Sequence, residues 1–564
     1  MSEELTNLIG IYGILKDLYV SSKLKDFKYK IENSHLILLL SSRQDLIETD
    51  HQLIVTVRSY QTPSNYKRLA EAGDLDILLN TTTLVKYSYN GLSKLEIWRD
   101  KIGLRPIYYF IDNDFKIFIF STSLKTLISY IRKCYDINVD TVGLLHYLCY
   151  GYCACNRNIF KGVYKVSPGC RLLVSILDSK SIHVKEDKYW NLPRRTLSLL
   201  PSIDVLSDML YKVLKYAIES CIGEDVSTIY VLFSGGLDSG TVVSILKRFF
   251  IYSVYPISVY FDIEDLEPYV KDICSYLGLE ADVLFLDEDL AMKYSKEIGN
   301  LYDEPLGEIM ASIKTLYALR ELRKRLKART VVLTGEGGDE IFFGYPWLYD
   351  LTRSLTYIQR YFPFTSKIID YQISKFWWLI DERTLLTIFQ GLKKNALTMV
   401  KRELSSILKE YTALDPLTKA YILSFKALTQ RFGFQRPLQL GMRTGISVKF
   451  PYLNPLLISF MYSLPYHYKQ RKYTTKLLLR YTLLKHELIP KNAILQTKRG
   501  FGSIARLKGL FNLVDEEIDK NIELLLQYLK VSTITINKKA ILNAPYRFKI
   551  AMYLLLNWLK SIEK

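Results

Sequence analysis

Two short strings in this sequence combine residues that can hold a phosphate and a divalent cation. The first, Val231-Leu232-Phe233-Ser234-Gly235-Gly236-Leu237-Asp238-Ser239-Gly240, leaves an apolar strand for small residues and enters a helix expected to begin near Thr241. Adjacent glycines let the backbone approach an oxyanion, and the N–H groups at a helix start point at it while the helix dipole favours negative charge. No lysine follows, so this is not the G-x-x-x-x-G-K-[ST] cradle of a γ-phosphate. The second string, Val331-Val332-Leu333-Thr334-Gly335-Glu336-Gly337-Gly338-Asp339-Glu340, is again strand, turn and helix, now with acids among the glycines. Hard carboxylate oxygens beside a phosphate loop are what Mg²⁺ uses, which makes Asp238 and Asp339 a natural pair.

The elements needed to position these loops are legible in the hydrophobic pattern. Up to about residue 190 the chain alternates like short strands, as in 35–40 and 115–120. From Pro201 onward helices alternate with short apolar strands such as 228–233 and 331–333, the pattern of a parallel sheet covered by helices. Beyond Asp350 amphipathic helix dominates. A boundary between residues 190 and 201 divides the chain into an N-terminal domain, 1–192, and a larger second domain, 200–564.

Composition narrows the functional classes. Among 564 residues, 49% hydrophobic and 13% aromatic, there is material for a large core, which excludes a disordered or low-complexity chain. Lys and Arg outnumber Asp and Glu by 76 to 58, but the densest basic run, Arg323 to Arg329, is short and interrupted like a solvated helix face. Seven cysteines are too sparse for a disulfide framework. His146, Cys149, Cys153 and Cys155 cluster, but with no second C-x-x-C pair, so buried thiols are expected in preference to zinc. The acidic opening, Ser2-Glu3-Glu4, and the lack of any apolar run of the ~18 residues a span needs point to a cytoplasmic protein with no membrane partner.

The two loops resemble the ATP-pyrophosphatase loop and the S-G-E-G-x-D-E segment of the glutamine-dependent asparagine synthetase family, with Thr334 in place of the usual Ser. Pro451-Tyr452-Leu453, Lys476-Leu477-Leu478-Leu479-Arg480 and Lys498-Arg499-Gly500-Phe501 extend the match across most of residues 200–505. In the N-terminal region, Arg99-Asp100-Lys101-Ile102-Gly103-Leu104-Arg105-Pro106 is similar to the family's R-D-x-x-G-x-x-P, and Ser121-Thr122-Ser123 and Ser167-Pro168-Gly169 continue it. The resemblance implies an α/β chain: an N-terminal nucleophile-type α/β/β/α sandwich, then a parallel-sheet ATP-pyrophosphatase domain of the adenine nucleotide α-hydrolase type with a helical C-terminal part.

It also implies a reaction. A substrate carboxylate attacks the α-phosphate of ATP, pyrophosphate leaves, and ammonia captures the acyl-adenylate. The implied nucleotide-binding residues are Phe233, Ser234, Gly235, Gly236, Asp238, Ser239, Val259, Thr334 and Gly335, with Mg²⁺ on Asp238 and Asp339, Lys498 stabilising charge at the α-phosphate, and Glu336 taking a proton from the attacking nitrogen. Arg480 is either a phosphate ligand or a surface helix charge. Expected partners are a small carboxylate, aspartate by resemblance, ammonia from a separate glutaminase, and a second copy of the chain; nucleic acid is not expected.

The sequence departs from the pattern in two places. The family's catalytic cysteine follows the initiator Met; here the similar string is Ile9-Gly10-Ile11-Tyr12-Gly13, and an aliphatic Ile9 cannot attack an amide. Glutamine hydrolysis at that site is not expected, and Ser2 lies upstream of the matching position. On the substrate side, Ser447, Lys449 and Asn454 replace the family's Glu, Arg and Asp, so a carboxylate would be held differently there, and a β-lactam synthetase-like role is disfavoured. The alternatives are an adenylating enzyme acting on another carboxylate or on tRNA, and a non-catalytic relative.

Overall fold

The computed structural model describes residues 8–13, 29–32, 36–40, 46–48, 52–57, 79, 82–88, 94–112, 117–133, 135–177, 181–223, 226–250, 252–261, 268–326, 330–376, 378–428, 434–495, 508–529 and 534–563. Up to Lys188, two antiparallel six-stranded sheets form. In the first, Leu8–Gly13 is an interior strand between Leu36–Leu40 and Ile117–Ser121. In the second, Cys170–Leu177 lies between Lys94–Trp98 and Ser181–Lys188.

Strand alternation explains how these sheets stack. Along Ile117–Ser121, Phe118 and Phe120 face Val85, Tyr87, Leu95, Ile97, Leu172 and Val174 of the second sheet. Ile117 and Ile119 face the other way, into a core shared with the helices Leu124–Ile131 and Thr141–Tyr150. The layers are therefore sheet, sheet and helix, as the sandwich reading requires; the helical layer expected on the far side of the second sheet lies outside the described residues.

The second half is built on a five-stranded, all-parallel sheet in the order Asp282–Phe285, Ser253–Tyr260, Thr228–Leu232, Thr330–Thr334, Val448–Lys449. Its strands are β-branched and apolar because helices cover both faces. Successive strands run outward from Thr228–Leu232 to Asp282–Phe285, and the order then reverses to place Thr330–Thr334 on the opposite side of Thr228–Leu232. The crevice for a ligand in such a sheet opens at that reversal, beyond the carboxyl ends of the two strands. Both glycine-bearing loops leave from these two strand ends.

One boundary differs from the reading of the sequence. The helix after the first loop starts at Leu237, not near Thr241, with Gly236 as its N-cap and Asp238 in its first turn. Gly240 therefore lies inside the helix, where a Cβ would stand 3.2 Å from Ile273 Cδ1. The helical part after Gly344 includes Pro346–Tyr361, Gln435–Thr444, Leu477–Lys485, Lys508–Leu529 and Tyr546–Glu563. No helix among the described residues is long and apolar enough to cross a membrane.

Candidate active site

The first loop is closed on itself by its two serines. Ser234 N donates to Ser239 Oγ (3.2 Å), and that hydroxyl donates to Gly236 O (3.3 Å). Gly235 takes φ +77°, a left-handed conformation that glycine adopts at no steric cost. Phe233, beneath the loop, is fixed by Ser258 Oγ, which donates to its carbonyl, and Val259 stands half-buried near the end of the neighbouring strand. The N–H groups of the first turn of the helix Leu237–Phe249 thus face the crevice with the positive end of a four-turn dipole behind them.

The second loop lies against the first. A Cβ on Gly335 would stand 2.8 Å from Ser239 N, and one on Gly338 would stand 2.4 Å from Asp238 Cγ. Only glycine admits this approach. Gly337, at φ +90°, turns the chain from the strand Thr330–Thr334 into the short helix Gly338–Phe342, and Glu336 N donates to Thr334 Oγ1 at 3.3 Å.

Asp238 and Asp339 come together on one side chain. Lys476 Nζ lies 2.5 Å from Asp238 Oδ2 and 2.8 Å from Asp339 Oδ1. Burial works against the ammonium, but the two carboxylates outweigh it and hold the proton on Lys476 more tightly than on an ordinary lysine. Lys476 caps the helix Leu477–Lys485 in the left-handed conformation, φ +58°, which costs a non-glycine residue backbone energy. Phe343, at the end of the helix Gly338–Phe342, is left-handed as well, φ +59°, and is pinned by a stacked Tyr421 ring at 3.9 Å. Hard oxygens that converge on one cation are a donor set suited to Mg²⁺.

Glu336 occupies a different setting. Its carboxylate is 29% exposed and pairs with Arg436 Nη2, while Arg436 Nη1 reaches Glu308 Oε2 at 3.4 Å. Burial pushes the Glu336 carboxyl up to about 7; Arg436 opposes this, and Glu340, Asp339 and Glu308 add to it. A carboxylate poised there can exchange a proton near neutrality. Glu340 is bound to the scaffold instead, accepting from the Tyr345 hydroxyl at 2.7 Å.

Other candidates fall away from the crevice or outside view. Lys498 and the string 498–501 lie outside the described residues, as does Ser2. Arg480 is not a free surface charge: its Nε donates to Thr475 O at 2.8 Å and its Nη1 to Ile494 O, and the Asp238 carboxylate acts on its charge. Asn454 caps the helix Pro455–Ser463, accepting from Leu456 N and Leu457 N. Ser447 supplies its carbonyl to Val332 N. His146 Nε2 meets Glu403 at 3.0 Å, Cys153 Sγ donates to Gly143 O, and burial raises the Cys149 and Cys153 thiols; no group of three or more His, Cys, Asp or Glu side chains placed to hold a metal ion forms among the described residues. Ile9 is paired to Leu39 and Ser121 within the first sheet.

Comparison with known proteins fits this geometry. The asparagine synthase family model matches residues 209–546, more than half the chain, and spans both glycine loops, Arg436 and Lys476. The chain belongs to the asparagine synthase family. A glutamine amidotransferase domain model matches residues 87–190. A Methanocaldococcus jannaschii protein named for asparagine synthesis with glutamine hydrolysis is 31% identical over 44% of this chain and 46% of its own length. Two Bacillus subtilis proteins named asparagine synthetase (glutamine-hydrolysing) 1 and 3 are 23% and 22% identical, over 72% and 77% of this chain and 64% and 72% of their own lengths. The matched part spans about half to two-thirds of the first two of these family relatives.

Proposed function

We propose that this member of the family is an ATP-dependent amide ligase that adenylates a small carboxylate, aspartate by resemblance, and passes ammonia to it, releasing AMP and pyrophosphate. The convergence of Asp238 and Asp339 on one cation beside the Ser234–Ser239 loop carries this reading. When bound, Mg²⁺ would be held by these two carboxylates and would neutralise charge on the departing pyrophosphate.

The chain's own residues supply the rest. N–H groups of the loop and of the helix start would hold the phosphate oxygens, and Phe233, Val259, Thr334 and Gly335 would enclose the nucleotide. Lys476, strained and charged at the loop, is placed to stabilise negative charge at the α-phosphate as the carboxylate oxygen attacks it. Lys498 would add to this charge. Glu336 would then take the proton that the nitrogen sheds as it attacks the acyl carbon and AMP leaves. With Ile9 in the nucleophile's place, ammonia would come from solution or from a separate glutaminase.

The test is pyrophosphate release with ATP and Mg²⁺, comparing aspartate plus ammonia, aspartate plus glutamine, and neither carboxylate nor nitrogen source. Aspartate-dependent release with amide formed only from ammonia is the expected result. Release indifferent to aspartate would overturn the choice of substrate, and ATP binding without turnover across a panel of carboxylates would overturn the ligase.

A further inference from the structure

The N-terminal domain touches the synthetase half through a loop that the family resemblance leaves without a task. Residues 99–105 fold around the buried Asp100, whose carboxylate accepts from the N–H groups of Ile102 (3.2 Å), Gly103 (2.6 Å), Leu104 (2.9 Å) and Arg105 (3.2 Å). Arg99 clasps the same loop, donating to Gly103 O at 2.9 Å and Val166 O at 2.5 Å. Gly103 takes φ +80°, with Pro168 Cγ only 2.6 Å from where a Cβ would stand. Such a loop is stiff, and its carbonyls point outward at fixed positions.

The helix Gln435–Thr444 receives them. Gln435 Nε2 donates to Gly103 O (3.2 Å) and Leu104 O (3.0 Å), and Gln439 Nε2 donates to Gln435 Oε1 (3.2 Å). Gln439 Oε1 accepts from Asp303 N at 2.7 Å, and the Asp303 carboxylate accepts from Ser123 Oγ and Leu124 N, both at 2.6 Å, at the start of an N-terminal-domain helix. The helix is thus tied to the N-terminal domain twice. The residue after Gln435 is Arg436, 6% exposed, whose guanidinium holds Glu336 and Glu308.

We propose that the N-terminal domain acts as a positioning element for the synthetase half, with Gln435 as the positioning residue that sets Arg436 against Glu336. The inference rests on the ligase reading only for what Glu336 does; the placement itself is independent of it. A glutamine side chain between two carbonyls and a second glutamine fixes the rotation of its helix, and one residue along that helix the guanidinium inherits the fix. Proton removal from an attacking nitrogen depends on that carboxylate's position, and misplacement of catalytic groups by about 1 Å costs up to about 10²-fold.

The experiment compares Gln435→Leu, which keeps the volume and removes the donors, with Gln435→His, whose Nε2 can reach the same carbonyls. Crystal structures of both in the full chain require no substrate: Arg436 should leave Glu336 in Gln435→Leu and stay in Gln435→His. Contacts unchanged in Gln435→Leu would overturn the inference. In turnover with ATP, Mg²⁺, aspartate and ammonia, amide formed per pyrophosphate released should fall about tenfold in Gln435→Leu and recover in Gln435→His. An equal loss of both products would make Gln435 merely structural and sink the proposal. A wild-type chain inactive in this assay, with Arg436 displaced in Gln435→Leu, would sink the ligase reading alone.

Discussion

The two halves of the chain carry family motifs of equal clarity and have put them to opposite uses. In the synthetase half, side chains remote in sequence converge: Asp238 and Asp339 each lie within 2.8 Å of Lys476 Nζ at the switch point of the sheet. In the N-terminal half, charged motif residues turn inward and are consumed by structure. Asp100 gathers N–H groups and Arg99 clasps carbonyls, and outside the motifs Lys165 is likewise fully buried against Glu304 at 3.1 Å while donating to Tyr152 OH at 2.7 Å. A motif recognisable in sequence can therefore converge on a crevice in one domain and be taken up by backbone contacts in another. What separates them is whether the polar atoms face a crevice or a neighbouring backbone.

This contrast predicts that substitutions in the synthetase loops act chiefly on turnover, and that breaking the buried Lys165–Glu304 pair acts chiefly on stability. The largest effect is expected for Asp238→Asn, which should lower pyrophosphate release by about 10²–10³-fold. Lys476→Met should approach the same loss, and recovery of activity at raised Mg²⁺ would show that the lysine serves only as a counter-ion.

Glu336→Gln should cut amide formation by about 10²-fold while pyrophosphate release persists. Because the Glu336 carboxyl is held up to about 7, its basic form is present above that pH, so amide formation should fall as pH drops through 7. The sign for stability is opposite: a carboxyl raised from 4.5 to about 7 on folding stabilises below 4.5, and that contribution is lost as pH rises through 7. Equilibrium unfolding of wild type and Glu336→Gln across this range checks it.

In the N-terminal half, Lys165→Met leaves Glu304 buried without its partner and should cost about 3–5 kcal/mol in urea unfolding, with turnover per folded molecule retained. The smallest effect belongs to Ile9→Cys. A cysteine within an interior strand has no free α-amine beside it, so glutamate release from glutamine should stay at background.

Much of this was legible in the residues, and the rest failed for identifiable reasons. The two loops announce themselves because phosphate-binding geometry demands consecutive small residues, and the strands around them are apolar by necessity of double burial. Lys476 was visible only as part of a matching string; its task depends on Asp238, 238 positions away, and no local periodicity encodes that distance. Arg436 gave no signal either, since a guanidinium between two acids looks in sequence like any helix cation. The sequence left Arg480 open between a phosphate ligand and a surface charge, and it did not show that two of its donors go to backbone carbonyls or that Asn454 caps a helix. The helix start at Leu237 was displaced in the reading by Gly240, whose smallness answers to Ile273 and does not break the helix.

The contact of Gly335 with Ser239 has a mechanical corollary. With no room for even a methyl group between the turns, neither can shift without carrying the other, so the two loops form one rigid jaw. That jaw is held from the side by Arg436, which pairs with Glu336 and rides on a helix fastened to the other domain.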